Sequence, residues 1–338
     1  MRYRRLGTSG LRVSEIALGA MTFGDAAALA DARQIYEVYR AAGGNFVDTA
    51  NVYTGGASEQ IVGELVAGHR DAMVIATKYT CSEAVGDVNA GGNHRKNMMV
   101  AVEASLRRLK TDYIDMYWLH VWDQLTPVDE VMRAFDDLVR QGKVLYVGMS
   151  DAPAWWCAQA STLAELRGWA RLAAVQFEYS LLERSVEHEL VPMATTLGLG
   201  MVAWAPLAGG VLSGKYHAGQ GTGGRYERGP DRAARAGDRV DRIVRALGEV
   251  AGELGRPAAQ VALAWLRHRA PSVIPICGAR RAAQLADSLA SLELALTAEQ
   301  RATLDDASAL APGFPQSMYD RARIIKLVYA GMRDQLDA

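Results

Sequence analysis

The chain has 338 residues, half of them hydrophobic and 22% charged, as in a globular protein with a sizeable core. Lys and Arg total 37 against 38 Asp and Glu, so the formal charge of −1 gives no reason to expect nucleic acid or an anionic membrane as partner. Three scattered cysteines, Cys81, Cys157 and Cys277, suggest neither a disulfide framework nor a zinc motif, which fits a reducing, cytoplasmic setting.

The N-terminal Met1-Arg2-Tyr3-Arg4-Arg5 is basic but lacks the apolar stretch of a signal peptide. No apolar run reaches the roughly 18–20 residues of a membrane helix. From Arg2 to Ala20 the chain reads as a hairpin leading into a strand: Arg4-Arg5-Leu6 and Arg12-Val13-Ser14 flank a Ser9-Gly10 turn. Eight short apolar runs follow at intervals: Ile16-Ala20, Phe46-Thr49, Val74-Lys78, Ile114-Leu119, Val144-Met149, Ala173-Phe177, Met201-Ala205 and Val273-Ile276. Many are apolar throughout, as parallel strands covered on both faces are.

Between them lie amphipathic segments. Val100 to Leu109 is expected to turn Val100, Ala104 and Leu109 to one side, and Val128 to Val139 to turn Val131, Phe135 and Leu138 inward, with Gly142 closing that helix. Gly209 to Asp238, rich in Gly, Arg and Asp, reads as a long loop, and loops of that length are usually functional or disordered. Ala311 to Gln316 interrupts the chain before a helix-like segment over Met318 to Gln335, and the stretch around Phe314-Pro315 is placed to fold over an opening.

This alternation implies a single domain over residues 1–338, a (β/α)8 TIM barrel with an N-terminal β-hairpin and a C-terminal helical extension. An open doubly wound sheet is the competing architecture. It is disfavoured because no G-x-G-x-x-G follows an early strand, and Gly7-Thr8-Ser9-Gly10 is too short for that role.

In such barrels chemistry sits at the C-terminal ends of the strands. Those ends carry Asp48 with Tyr53 shortly after, Lys78, His120, Ser150-Asp151 and Gln176. Singly, each has an ordinary explanation: a turn carboxylate, a surface charge, a hydrogen-bonded core histidine. Together, an Asp, a Tyr, a Lys and a His from three consecutive strands can meet in one pocket, and a buried Lys needs a partner such as Asp48.

At these positions the sequence resembles the aldo-keto reductase family over nearly its whole length. Asp48-Thr49-Ala50-Asn51-Val52-Tyr53, with Gly55, Ser58 and Glu59, is similar to the D-T-A-x-x-Y motif. Ile75-Ala76-Thr77-Lys78 resembles the lysine segment, and Tyr113-Ile114-Asp115-Met116-Tyr117-Trp118-Leu119-His120 the D-Y-I-D-L-Y-x-x-H strand. Val147-Gly148-Met149-Ser150, the run Val175 to Leu182, and Trp204 to Tyr216 match further signatures. The style is that of the bacterial, channel-β-subunit-like and aryl-alcohol-dehydrogenase-like branches.

The resemblance implies a catalytic tetrad of Asp48, Tyr53, Lys78 and His120. Tyr53 would be the proton donor. A phenol with a reference pKa near 10 needs help near neutrality, and a Lys78 cation held by Asp48 would favour the phenolate. His120 would orient the carbonyl and stabilise its oxygen.

It also implies an NADPH (NADP+) site. Ser150 and Gln176 match holders of the nicotinamide carboxamide, and Trp204 the ring stacked on it. Asp151 departs from the usual Asn, and an ionised Asp accepts but does not donate. Gly19, Met21 and Asp48 line the same end. Ala205, Pro206, Leu207, Gly209 and Lys215 belong to the loop over the pyrophosphate. Gly278, Arg280, Gln284 and Ser288 lie on the adenosine-phosphate segment, with Arg280 the partner of a 2′-phosphate; Ser288 replaces a frequent Asn. Met21, Trp122 and Tyr79, beside the motif positions, either wall an apolar pocket for a small carbonyl substrate with Tyr53 and His120 or belong to the core. The charges of Gly91 to Asn97 either meet substrate or cap the next helix.

Two functional classes fit: an aldehyde or ketone reductase, and a regulatory subunit that senses NADPH. The complete tetrad favours the enzyme, because a sensor loses little without Tyr53 or His120. A metal-dependent hydrolase is weakened by the lack of a carboxylate and histidine cluster with ligand spacing. A homo-oligomer is left open.

Overall fold

The computed structural model describes residues 1–82, 84–214, 237–269 and 271–336. An antiparallel hairpin, β1 (Tyr3–Arg5) and β2 (Arg12–Ser14), comes first. The barrel strands follow: β3 (Ala17–Gly19), β4 (Phe46–Asp48), β5 (Val74–Tyr79), β6 (Ile114–Leu119), β7 (Val144–Ser150), β8 (Leu172–Glu178), β9 (Gly200–Trp204) and β10 (Val273–Gly278). Each pairs in parallel with the next, and β10 returns to β3 through Ile276–Ala17, Cys277–Leu18 and Gly278–Gly19, closing the expected (β/α)8 barrel.

The helices that wrap it are α1 (Leu29–Ala41), α2 (Ala57–Val66), α3 (Arg95–Leu109), α4 (Val128–Arg140), α5 (Ala154–Arg167), α6 (Leu190–Thr196), α7 (Asp238–Leu254), α8 (Ala258–Arg267), α9 (Ala282–Leu289) and α10 (Ala298–Ser308). In α4, Val131, Phe135 and Leu138 are fully buried, and Gly142 takes φ 72° just past the helix. The expectation for α3 is corrected. The helix begins at Arg95, its buried face is Met98, Ala101, Val102, Ser105 and Leu109, and Val100 is 62% exposed. The burial spacing is the i, i+3, i+4, i+7 stripe, and Val100 lies off it.

Strand parity builds two cores. Phe46, Val74, Ala76, Met116, Trp118, Ala174, Val202 and Ile274 pack together inside the barrel. Their strand neighbours Val47, Ile75, Tyr117, Leu119, Val175, Met201 and Val273 belong to the layer shared with the helices. Alternation with period two produces this division, and it is why the strand runs are apolar throughout.

The hairpin lies at the N-terminal ends of the strands. Gly7 (φ 60°) sits so close to β8 and β9 that a Cβ would come within 2.6 Å of the carbonyls of Ala173 and Gly198. Only glycine meets both demands.

At the other terminus, the single helix expected over Met318–Gln335 is two short ones, α11 (Gln316–Tyr319) and α12 (Ala322–Val328), and a 3-10 turn at Arg333–Gln335. Ala330 and Gly331, at φ 53° and 76°, reverse the chain after α12, and none of the three pieces has a buried residue to hold it to a longer helix. Phe314 is exposed, and Gln316 Nε2 ties the segment to His188 O and Glu189 Oε1. Among the described residues no helix is long and apolar enough to cross a membrane.

Candidate active site

The same parity continues to the strand ends. Stepping by two from the inner-core residues reaches Asp48 on β4, Lys78 on β5, His120 just past β6, Gln176 on β8 and Trp204 on β9. On β3 and β10 it reaches Gly19 and Gly278, which pair with each other and leave that sector without side chains. A Cβ on Gly19 would meet Ile276 Cγ2 at 2.7 Å. The polar groups therefore crown a barrel whose interior is apolar.

Lys78 is 1% exposed. Its Nζ forms a close ion pair with Asp48 Oδ1 and donates to Thr49 O at 2.8 Å and to Tyr53 Oη at 3.3 Å. Burial works against the ammonium. The Asp48 carboxylate and the Tyr53 hydroxyl outweigh it and hold the Lys78 pKa above its ordinary value. Gln176 Nε2 donates to the second Asp48 oxygen at 2.9 Å. Both oxygens of a buried carboxylate are thus satisfied, as they must be.

Tyr53 reaches this point through a strained turn. Thr54, Gly55 and Gly56 have φ of 50°, 62° and 89°. Thr54 Oγ1 donates to Phe23 O at 2.7 Å, and Ser58 Oγ donates to Ala20 O at 2.8 Å. Glu59, fully buried, accepts from Thr77 Oγ1 at 2.5 Å and from Arg108 Nε at 2.6 Å. This network anchors the Tyr53 turn to the strand that carries Lys78. Glu59 stands in the quoted motif, but its partners are distant in sequence and nothing in a single chain announces them.

His120 lies edge-on to Tyr53, ring centroids 5.8 Å apart, and its backbone N–H donates to Thr80 Oγ1 at 3.2 Å. Burial, then the nearby Lys78 charge, push its pKa down to about 3, so the ring is neutral at pH 7. Cys81 Sγ is 3.7 Å from His120 Nδ1, and burial raises the Cys81 pKa, which keeps it a thiol. In the sequence Cys81 stands only as one of three scattered cysteines, with no pattern to mark it as part of a site.

Asp151 adopts φ 44° just past β7, a conformation Asp and Asn tolerate. Its Oδ1 accepts from Trp204 Nε1 at 3.0 Å. The residue is exposed by surface area, yet the atoms packed around its carboxyl raise its pKa to about 6 against the pull of Trp204 and Lys78. Water at the exposed surface works against that rise. Ser150 Oγ is buried and has no partner of hydrogen-bonding geometry among the described residues, although it is near enough to Asp151 to favour the carboxylate.

Beyond Trp204 the backbone bends repeatedly: Ala205, Ala208, Gly209 and Gly210 have φ of 49°, 49°, 68° and 101°. Pro206 and Leu207 lie within this turn, and Lys215 falls outside the described residues. On the last strand-to-helix loop, Gln284 Oε1 accepts from the Arg280 N–H at 2.9 Å, and Ser288 Oγ turns into its own helix to Gln284 O at 3.0 Å. Ser288 thus directs its hydroxyl to the backbone. Met21 and Trp122 are half-buried, and Trp122 meets the exposed Trp155 edge-on at 5.6 Å. Tyr79 is core: it is fully buried, stacks on Tyr117 and donates to Asn93 O at 3.2 Å. The 91–97 segment caps α3, with His94 Nδ1 accepting from Asn97 N, and Arg95 ion-paired to Asp137.

An orphaned hydroxyl at Ser150, a glycine-lined sector and glycines in the turn after Trp204 suit an extended, polar ligand such as a dinucleotide. The aldo/keto reductase family model matches residues 15–309. An aryl-alcohol dehydrogenase [NADP(+)] of Phanerodontia chrysosporium is 34% identical, with 100% of this chain and 94% of that protein covered. An uncharacterized oxidoreductase, YrpG, of Bacillus subtilis is 38% identical, with 90% and 95% covered. Aldo-keto reductase ausK of Emericella nidulans is 36% identical, with 94% and 84% covered. Closed barrel, crowned strand ends and likeness along the chain agree: this protein belongs to the aldo/keto reductase family.

Proposed function

We propose that the chain is an NADPH-dependent reductase that converts an aldehyde or ketone to an alcohol, with Tyr53 as general acid. The observation that carries this reading is the contact of Lys78 Nζ with Tyr53 Oη at 3.3 Å while the same ammonium is ion-paired to Asp48. The names of relatives, including reductases and a dehydrogenase marked NADP(+), support the cofactor class.

When bound, NADPH supplies the hydride. Ser150 and Gln176 would hold its carboxamide, Trp204 its ring, the 205–209 turn with Lys215 its pyrophosphate, and Arg280 its 2′-phosphate. Asp48, Met21 and Gly19 line the same end, and Gly278, Gln284 and Ser288 shape the adenosine side. The protein's own task is the proton. Tyr53 gives it to the carbonyl oxygen, and Lys78 stabilises the phenolate left behind. Asp48 and Thr49 O fix the lysine so that no reorganisation is needed. His120 is neutral, so it offers one N–H. A Cys81 thiol that donates to Nδ1, one of the two roles their 3.7 Å contact allows, would leave that proton on Nε2 for the substrate oxygen. Trp122 walls the substrate side.

NADPH absorbance followed with aliphatic and aromatic aldehydes tests the reading. Wild-type turnover should fall on the order of 10²–10⁴-fold in Tyr53→Phe, with NADPH binding retained. Equal turnover in the two proteins would remove Tyr53 from the role.

A further inference from the structure

We propose that Asp151 tilts this site toward the oxidised, positively charged cofactor and away from the reduced, uncharged one, by placing a carboxylate where an asparagine would bring no charge. The inference rests on the cofactor reading above. Its ground is the charge balance around the Asp151 side chain.

The backbone does not select Asp over Asn. At φ 44° both are tolerated. Nor does the hydrogen bond from Trp204 Nε1, since an asparagine carbonyl oxygen would accept it equally. The Asp151 N–H donates to Gln176 O at 3.1 Å, and Asp151 O accepts from Trp122 N at 3.3 Å, so the residue is pinned between the ends of β6, β7 and β8 whichever side chain it carries. What remains particular to aspartate is its charge.

That charge is surplus. From β5 and the loop after it, Lys78 and Cys81 face it; from β7, Ser150; from β9, Trp204. Lys78 is the cation among them, and it is already paired with Asp48 in direct contact. His120 beyond β6 stays neutral, and Cys81 stays a thiol. With Asp48 and Asp151 ionised against one Lys78, this cluster carries −1. A ligand whose ring is cationic gains from that field, and one whose ring is neutral does not. One charge about 3–4 Å from another, at the near-water screening that an exposed carboxylate feels, changes a binding ratio by roughly five- to tenfold. For a two-electron couple, tenfold is about 30 mV in the midpoint of the bound cofactor.

Fluorescence titration of the wild type and Asp151→Asn with NADP+ and with NADPH, at pH 8 and at pH 5, reads the preference directly as Kd(NADPH)/Kd(NADP+). At pH 8 the variant should lower this ratio roughly five- to tenfold. Toward pH 5 the two proteins should approach each other, because the wild-type carboxyl, its pKa raised above the usual aspartate value, takes up a proton. The 2′-phosphate titrates over the same range but is common to both ligands and cancels in the ratio. An unchanged ratio in Asp151→Asn, with both nucleotides still bound, overturns the inference and leaves the cofactor reading standing. Wild type that binds neither nucleotide overturns both. Should the variant fail to fold, the wild type alone decides: a ratio flat between the two pH values overturns the proposal.

Discussion

Two buried ion pairs sit at opposite ends of this barrel, and their surroundings differ. At the C-terminal rim Lys78 pairs with Asp48, side chains 1% and 4% exposed. At the N-terminal end Arg267, from the last turn of α8, pairs with Glu15 beside the hairpin, 5% and 3% exposed. By burial they are equivalent. The lower pair is enclosed by structure: Arg267 Nη1 donates to Ser291 O, and Glu15 accepts from the Arg2 N–H and lies 3.6 Å from Arg4. The upper pair has the Tyr53 hydroxyl and the His120 ring beside it. A buried salt bridge is therefore no signature of function; what borders it is.

Breaking each pair should separate the roles. Lys78→Met should lower kcat/KM on the order of 10²–10⁴-fold and destabilise the fold as well, since Asp48 keeps a buried charge without its cation. Activity within a few-fold of wild type would make the upper pair structural like the lower one. Arg267→Met should lower the unfolding free energy by about 3–5 kcal/mol in urea titrations while the folded fraction keeps its turnover. Adding Glu15→Leu should restore much of that loss, because the orphaned carboxylate goes too. Gln176→Leu, which strips a donor from Asp48 Oδ2, should cost about 1–3 kcal/mol of stability.

The smallest effect is in pH dependence, where the pairs point in opposite directions. Burial pushes the Glu15 carboxyl up, but Arg267 and the Arg2 N–H outweigh it and hold the pKa below its usual value. Its contribution is present above the unfolded carboxylate range and is lost as pH falls through the depressed folded value. Lys78 has a raised pKa, so its contribution is present below the ordinary lysine value and is lost as pH rises through the folded one. The stability gap between wild type and Glu15→Gln should shrink in acid, and that between wild type and Lys78→Met in alkali. Gaps that shrink on the same side would mean that one pair has been misread.

The upper pair was legible in the sequence and the lower was not. Asp48 and Lys78 lie at the C-terminal ends of consecutive apolar runs, inside motifs that resemble those of the family. Glu15 and Arg267 lie 252 positions apart, and no local pattern joins them. The eight strands could be read because burial on both faces leaves apolar runs. The face of α3 was misjudged because Val100, an apolar residue, stands outside while Ser105 is buried; hydrophobicity alone does not reveal which stripe a helix buries. The Cys81–His120 contact joins loops after different strands, and Trp122–Trp155 joins a loop to the first turn of α5; such meetings become visible only once the barrel is closed.

Closure itself has a consequence for the chain as it is made. Every residue of the proposed tetrad has been synthesised by His120, yet the ring is completed only when β10 pairs with both β9 and β3. Until Gly278 has left the ribosome, β3 and β9 present open edges, the kind of surface on which strands of other molecules can add. A long-range pairing that comes last is also slow to form. Truncations upstream of β10 should therefore reach the cell as aggregates, and the demand on chaperones should fall on the nascent chain between the end of β9 and the arrival of that last strand.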